Sequence, residues 1–218
     1  MSQYVTIADV TIDTPVKSPN TDGIDPDSSA HVVIKGCSIA TGDDHISLKA
    51  GKEWEGYEYA VPTHDVVIVD NTFHHGAGIA IGSETAGGIR DVFIGNGTFM
   101  DLSSNMVRFK TCPTYGRGLS NVTYASIRGI GLDAAVMVNM DYECGPPNAT
   151  IPRPTFDRVT IQDIHLDAVL SAGSIACLPG ACPNWVFRDV TIGSLVDWKI
   201  TSGGLVNTSA INVHPALP

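Results

Sequence analysis

Four copies of one eight-residue phrase decide the fold: VTIADVTI at residues 5–12, VVIKGCSI at 32–39, VVIVDNTF at 66–73 and VFIGNGTF at 92–99. Each copy alternates apolar and polar residues around β-branched Val, Ile and Thr, with a Gly, Asn or Asp near its middle. This pattern is typical of a strand, a bend and a second short strand, and it does not fit a helix.

Looser copies of the phrase begin at Val122, Val159 and Trp185, so that successive copies start 27, 34, 26, 30, 37 and 26 residues apart. A second series, ISLK from Ile46, IAIG from Ile79, VRFK and VMVN, has spacings of 33, 28 and 29 residues. Periods of about 20–50 residues indicate stacked repeats whose variable length is absorbed in loops. A leucine-rich repeat would need a leucine scaffold that is missing here, and a propeller blade would need a longer period.

Each repeat therefore supplies about three short strands, and equivalent strands of successive repeats pair in parallel, about 4.8 Å apart. We predict an all-β protein: a right-handed parallel β-helix in which residues 1–218 form a single domain. On the repeat alone, a structural β-helix such as a phage fibre also remains open.

The composition narrows the classes of partner. The formal net charge is −10, and no run of 18 apolar residues occurs. A transmembrane helix is therefore excluded, and nucleic acid or anionic lipid would be repelled unless a local basic patch were kept. The sequence predicts neither a nucleic-acid partner nor a membrane partner.

Three carboxylates are the first candidates for chemistry. Asp22 lies 21 residues, close to one coil, before the adjacent pair Asp43 and Asp44, so the three should meet on neighbouring coils. Because like charges at short range disfavour simultaneous ionisation, we expect one raised pKa, and hence an acid and a base at the same pH. Glycosidic cleavage needs that combination. Tight turns rich in Asp and Gly, or a calcium site, are the alternatives.

Two cations lie further along the chain. Arg108 and Lys110 alternate with apolar residues in VRFK, two coils and about 10 Å beyond ISLK. On the outer face they could hold an anionic sugar, or they could simply be a solvated basic pair. Tyr142 follows one coil later near the same stripe, as a cleft residue or as ordinary rim packing.

Taken together, these motifs resemble glycoside hydrolase family 28, whose members hydrolyse pectin on right-handed β-helices. The resemblance extends from about Tyr4 to Trp198. It implies inverting hydrolysis of α-1,4-linked galacturonan, a pectic polysaccharide partner, no cofactor, no metal and secretion from the cell. The matching segments are Asn20-Thr21-Asp22-Gly23, Gly42-Asp43-Asp44, Gly82-Ser83-Glu84, Arg108-Phe109-Lys110 and Asp141-Tyr142-Glu143.

The resemblance also implies roles for individual residues. It makes Asp43 the proton donor, and it gives Asp22 and Asp44 the task of orienting and deprotonating the attacking water. The substrate-binding residues that it implies are Arg108, Lys110, Tyr142 and Asn20. It further implies a short disulfide loop between Cys177 and Cys182, which the tight four-residue spacing also allows.

Two sites depart from the family pattern. Ala77 stands where the family has a histidine in Gly-His-Gly, and His74 or His75, just upstream, could substitute after a local shift. His45 and Phe73 stand where the family has a disulfide-bonded cysteine pair. His45 could tune the acid, although a histidine that merely replaces cysteine in a turn is the simpler interpretation.

The length of the sequence and one insertion bear on the size of the whole architecture and on the mode of cleavage. Family members carry further N-terminal coils and a signal sequence, so this sequence resembles the C-terminal two-thirds of a longer architecture. Family members are monomers, but an uncovered first coil would favour association through its edge or poor solubility. The resemblance of residues 82–88 (Gly-Ser-Glu-x-x-Gly-Gly) to some relatives in the family slightly favours exo over endo cleavage. The insertion 51–64 points the same way, because Trp54, Tyr57 and Tyr59 could stack on a sugar and block one end of the cleft, although endo cleavage is compatible with both features. The alternatives are a weakly active or inactive pectin-binding remnant and, less strongly, a calcium-dependent pectate lyase.

Overall fold

A computed structural model describes residues 1–100, 104–142, 150–201 and 203–218. These residues are mostly strand, with one short helix, α1 (Glu53–Tyr59). The strands are β1 (Gln3–Ala8), β2 (Thr11–Asp13), β3 (Ala30–Lys35), β4 (Ser38–Ala40), β5 (Ile46–Leu48), β6 (Thr63–Val69), β7 (Thr72–Phe73), β8 (Ile79–Ile81), β9 (Ile89–Gly95), β10 (Thr98–Phe99), β11 (Asn105–Lys110), β12 (Gly118–Ile130), β13 (Ala134–Asn139), β14 (Thr155–Ala176), β15 (Cys182–Pro183), β16 (Val186–Val196), β17 (Lys199–Ile200), β18 (Leu205–Val206) and β19 (Ser209–His214).

The strands pair in parallel, coil upon coil, in the register of the repeated phrase. The first residue of each copy aligns with the first residue of the next, along a ladder of Val5, Val32, Val66, Val92, Val122 and Val159. The second series aligns in the same way, along Ile46, Ile79, Val107 and Val136. These ladders confirm the predicted parallel β-helix. Association through the edge strand β1, which pairs with β3, stays a prediction.

The bend in the middle of the phrase has a backbone cause. The fifth residue of all seven copies has a positive φ, between 50° and 64°, and six of the seven are not glycine. Short polar residues tolerate this left-handed conformation better than bulky ones, so Asp, Asn and Gly dominate there. The residues are Asp9, Gly36, Asp70, Asn96, Ser126, Asp163 and Asp189.

The core fills the inside of the coils, because alternate residues of each strand point inward and like residues stack from coil to coil. Phe73 and Phe99 stack with their ring centroids 4.7 Å apart, and both are almost fully buried. A buried amide helps to close one turn: Asn71 Nδ2 donates to Ile34 O at 3.1 Å, and Cys37 N donates to Asn71 Oδ1 at 2.8 Å.

The insertion of residues 51–64 contains α1, which the sequence did not predict. Tyr57 lies beneath Arg117, whose guanidinium carbon is 4.4 Å from the ring centroid, and Arg117 Nη1 donates to Tyr57 O at 3.0 Å. Trp54 and Tyr59 are exposed. The insertion is therefore held by contacts with Arg117.

No helix among the described residues has the length and apolar character to cross a membrane.

The cysteines follow the expected arrangement in part. Cys177 and Cys182 form a disulfide with their Cα atoms 6.2 Å apart, which confirms the predicted loop. Cys112 is disulfide-bonded as well, whereas Cys37 is a buried free thiol. Cys144 and Glu143 lie outside the described residues.

Candidate active site

The three predicted carboxylates converge at one place. Asp22 follows β2, while Asp43 and Asp44 lie in the turn between β4 and β5. One oxygen from each carboxylate lies within 4.8 Å of the other two. Two backbone bonds fasten the neighbouring turns together, because Gly23 N donates to Asp44 O at 3.0 Å and Ile24 N donates to His45 O at 3.2 Å. The convergence therefore follows from the one-coil spacing of the motifs.

An open, mostly polar cleft of about 510 Å³ lies over the carboxylates. The residues that line it are Asn20, Asp22, Asp25, Asp43, Asp44, Lys49, Gly82, Ser83, Glu84, Lys110 and Tyr142. Six of the seven predicted site residues are in this set. The seventh, Arg108, contacts Asp44 from the side.

Asp44 is the most deeply buried carboxylate, with 1% of its surface exposed. Arg108 Nη1 donates to its Oδ1 at 2.5 Å, and Lys110 Nζ donates to its Oδ2 at 2.7 Å. A buried carboxylate is stable only when it is paired, and two cations pair this one. Both cations are therefore partly engaged by Asp44 before any anionic ligand arrives.

The reach of Arg108 depends on the coils that it crosses. The same strand position holds Ser47 in one coil, Ala80 in the next and Arg108 in the third. Small side chains at the first two positions leave room for the guanidinium to extend back to Asp44. At the neighbouring position, a Cβ on Gly82 would lie 1.9 Å from Lys110 O, so the close approach of the two strands requires glycine.

The raised pKa expected within this trio is found at Asp22. Its largest cause is burial, followed by the negative charges of Asp25 and Asp43, while Lys49 opposes the shift. Burial removes water from the charged form, and like charges add repulsion. Like-charge repulsion was the only cause that the sequence suggested, and desolvation proves to be the larger one.

Backbone amides hold the carboxylate of Asp43. Asp44 N donates to its Oδ1 at 2.9 Å, and Asn20 N donates to its Oδ2 at 3.3 Å. Asn20 adopts a φ of 54°, a left-handed conformation that asparagine tolerates. Asn20 thus positions Asp43 through its main chain in addition to lining the cleft.

The predicted tyrosine borders the cation pair. Lys110 Nζ lies 5.3 Å from the centroid of the Tyr142 ring, within range of a cation–π interaction. Tyr142 also lines the cleft, as predicted.

His45 is part of the buried core. Its ring is fully buried, 5.3 Å from the ring of Phe73, so the two residues that stand in place of the disulfide pack against each other. Its Nε2 donates to His74 O at 3.1 Å and His75 O at 3.0 Å. Burial lowers the pKa of His45 to about 4, so the ring is neutral near pH 7. His45 does not line the cleft, which favours the simpler interpretation, a replacement for cysteine.

The place of the missing motif histidine adjoins the candidate acid, because Ala77 N donates to Asp43 O at 2.8 Å. His75 Nε2 instead donates to Thr14 O at 2.9 Å, and His74 Nε2 lies 3.2 Å from Ser38 Oγ. Both rings are directed to groups outside the cleft. In this structure neither histidine takes over the position at Ala77.

Three charged residues of the cleft were missed by the sequence reasoning: Lys49, Asp25 and Glu84. Lys49 carried a usable signal, because it is the fourth residue of ISLK and therefore matches Lys110, the fourth residue of VRFK. Asp25 is its partner, with Lys49 Nζ donating to Asp25 Oδ2 at 2.8 Å. Glu84 belongs to the Gly82-Ser83-Glu84 motif but carried no signal for a position in the cleft.

Comparison with known proteins assigns the family. The family model of glycosyl hydrolases family 28 matches residues 1–207. A probable polygalacturonase of Vitis vinifera is 33% identical over 185 residues, which cover 82% of this chain and 37% of that protein. Endopolygalacturonase A of Aspergillus niger is 30% identical over 203 residues, covering 88% of this chain and 51% of that protein. This chain therefore spans about half, or less, of the length of these curated relatives.

Solved structures share the fold. An exopolygalacturonase of Thermotoga maritima superimposes with a TM-score of 0.84 at 22% identity, over 98% of this chain and 48% of that one. Endopolygalacturonase I of Stereum purpureum, complexed with two galacturonate molecules, gives 0.67 at 19% identity, over 96% of this chain and 62% of that one. These likenesses show the fold, and the family match shows that the chain belongs to glycosyl hydrolases family 28.

Proposed function

We propose that this member of glycosyl hydrolases family 28 hydrolyses α-1,4-linked galacturonan, the polygalacturonate of pectin. The observation that carries the proposal is the convergence of three carboxylates within 4.8 Å of one another, with Arg108 and Lys110 bound to one of them. An open polar cleft suits a polysaccharide, and cations beside the carboxylates suit a chain of uronic acids.

In the proposed reaction Asp43 donates its proton to the glycosidic oxygen as the bond from that oxygen to the anomeric carbon breaks. A water molecule, oriented and deprotonated by Asp22 and Asp44, forms the new bond to the anomeric carbon. The raised pKa of Asp22 brings that carboxylate closer to the pH at which a general base is most effective. Arg108 and Lys110 hold a galacturonate carboxylate, and the proposal needs neither a metal nor a cofactor.

We propose inversion at the anomeric carbon, and this rests on the family resemblance. Carboxyl separations of about 6.5–9.5 Å are usual for inversion and about 5–5.5 Å for retention. Here one oxygen of each carboxylate lies within 4.8 Å of the other two, which describes single atoms and not the separation between the carboxyl groups. Proton NMR of the first product decides between inversion and retention, because inversion of an α linkage releases the β anomer.

We propose an exo mode of attack, supported by the Gly-Ser-Glu-x-x-Gly-Gly segment at residues 82–88. The insertion gives this no further support, because Trp54, Tyr57 and Tyr59 do not line the cleft. Release of reducing sugar without loss of viscosity would support exo cleavage, whereas rapid loss of viscosity would establish endo cleavage. We also propose that the protein is secreted, because pectin lies outside the cell.

The second candidate is a pectin-binding protein with little or no turnover, and Ala77 in place of the motif histidine favours it. Mass analysis of products from polygalacturonic acid separates the possibilities. Hydrated oligomers indicate a hydrolase, products lighter by one water indicate a calcium-dependent lyase, and no products indicate a binding protein. Asp43→Asn should lose almost all turnover, and turnover equal to that of the parent would remove Asp43 from the acid role.

A further inference from the structure

A second cationic position opens onto the cleft at Lys49. Lys49 follows β5 and lies in the same strand position as Gly82, after β8, and Lys110, at the end of β11. The two lysines are therefore two coils apart, about 10 Å along the helix axis. The residue between them in this row is glycine, so the row itself places no side chain between the two lysines.

Each of the two lysines lies beside a different carboxylate of the cleft. Lys49 Nζ is 3.7 Å from Asp22 Oδ2, whereas Lys110 Nζ is 2.7 Å from Asp44 Oδ2. Asp22 and Asp44 are themselves within 4.8 Å of each other through one oxygen each. A bond that is cleaved over the carboxylates would thus have one lysine on each side of it.

Lys49 keeps the capacity to bind an anion. An ammonium has three donors, and the hydrogen bond to Asp25 Oδ2 at 2.8 Å uses one of them. The side chain is 25% exposed, so it is accessible from the cleft. Burial lowers the pKa of Lys49, but the hydrogen bond to Asp25 and the charges of Asp25, Glu84 and Asp22 outweigh it, so the pKa is raised and the group stays protonated.

We propose that Lys49 binds the carboxylate of the galacturonate on the opposite side of the cleaved bond from the one held by Arg108 and Lys110. A sugar ring spans about half of the 10 Å between the two strand positions, so two adjacent rings together span that distance. The flexible side chains of Lys49 and Lys110 can then each reach the carboxylate of one ring. Asp25 holds the ammonium in place until the substrate carboxylate arrives. The inference rests on the proposed function, and it makes Lys49 a substrate-positioning residue.

Lys49→Gln tests this inference, with Lys49→Arg as the conservative variant. Loss of one charge-assisted hydrogen bond should raise KM for polygalacturonate about tenfold and change kcat by less than about threefold. Lys49→Arg should restore most of the lost affinity. Lys35→Gln, which makes the same charge change at an exposed position, should behave as the parent.

Other outcomes separate the inference from its premise. If Lys49→Gln lowers kcat and shifts the pH profile while KM stays constant, Lys49 acts on Asp22, and the inference is overturned. If the parent chain does not turn over polygalacturonate, the proposed function fails alone, because calorimetric titration with a galacturonate trimer still measures binding. Equal affinities of the parent and Lys49→Gln for that trimer would overturn the inference.

Discussion

Replacing His45 by phenylalanine should remove a large part of the pH dependence of stability. The pKa of His45 is lowered by burial from 6.5 to about 4 in the folded chain, whereas the unfolded chain has the ordinary value. Between pH 6.5 and pH 4 the unfolded state therefore binds a proton that the folded state does not. Stability rises with pH wherever the unfolded state binds more protons, so this contribution is lost as the pH falls.

The size of the effect follows from the shift. A difference of about 2.5 pKa units at about 1.36 kcal/mol per unit corresponds to about 3 kcal/mol. The parent should therefore lose about 3 kcal/mol more free energy of unfolding between pH 7 and pH 4 than His45→Phe does. The phenylalanine ring keeps the contact with Phe73 and Phe99, although it loses the bonds to the two backbone carbonyls.

Urea denaturation at a series of pH values from 4 to 7 measures this difference directly. His165→Phe is the matched control, because the His165 side chain is 53% exposed and its replacement removes a histidine without touching the core. That control should follow the parent at every pH. Parallel pH profiles for the parent and His45→Phe would refute the reasoning, since they would mean that the buried ring does not resist protonation.

Three further predictions concern the site and the C-terminal loop. Ala80→Leu should fill the space crossed by Arg108 and lower kcat/KM at least about tenfold, which steady-state kinetics on polygalacturonate would detect; unchanged kinetics would show that Arg108 has another route. Asp25→Asn removes the like charge that raises the pKa of Asp22, so the acid limb of the kcat/KM profile should move to lower pH; a shift upward would contradict the electrostatic assignment. Cys177→Ser opens a disulfide loop with a sequence separation of five, and it should lower the free energy of unfolding by about 2 kcal/mol because the unfolded chain gains entropy. Thermal or urea unfolding measures this, and a stability equal to that of the parent would argue against the entropic cause.

The sequence was informative wherever the helical stack repeats itself. Val5 aligns with Val32 and Val66 because parallel coils bury the same position of each repeat. The spacing of the repeated phrase along the sequence is therefore enough to predict this alignment. The meeting of Asp22 with Asp43 and Asp44 was predictable for the same reason, since a spacing near one coil brings residues to neighbouring turns.

Features outside the repeat could not be predicted from the spacing of the repeated phrase. Helix α1 lies in an insertion with no equivalent in the other coils, and its contact with Arg117 joins residues about 60 positions apart. The direction of the His74 and His75 rings depends on hydrogen-bond partners in earlier coils, Ser38 Oγ for His74 and the carbonyl oxygen of Thr14 for His75. No local pattern encodes those partners.

The sequence by itself determined the architecture, the register of the coils and the identity of the three carboxylates, because all of these follow from residue spacing along a repeating backbone. Only the tertiary structure decided how the charges are shared: Asp44 engages both Arg108 and Lys110, and Lys49 engages Asp25. The physical reason is that pairing depends on the length of side chains and on the small residues between coils. Ala80 and Gly82 leave the gap through which the cations reach, and that gap exists only once the coils are stacked.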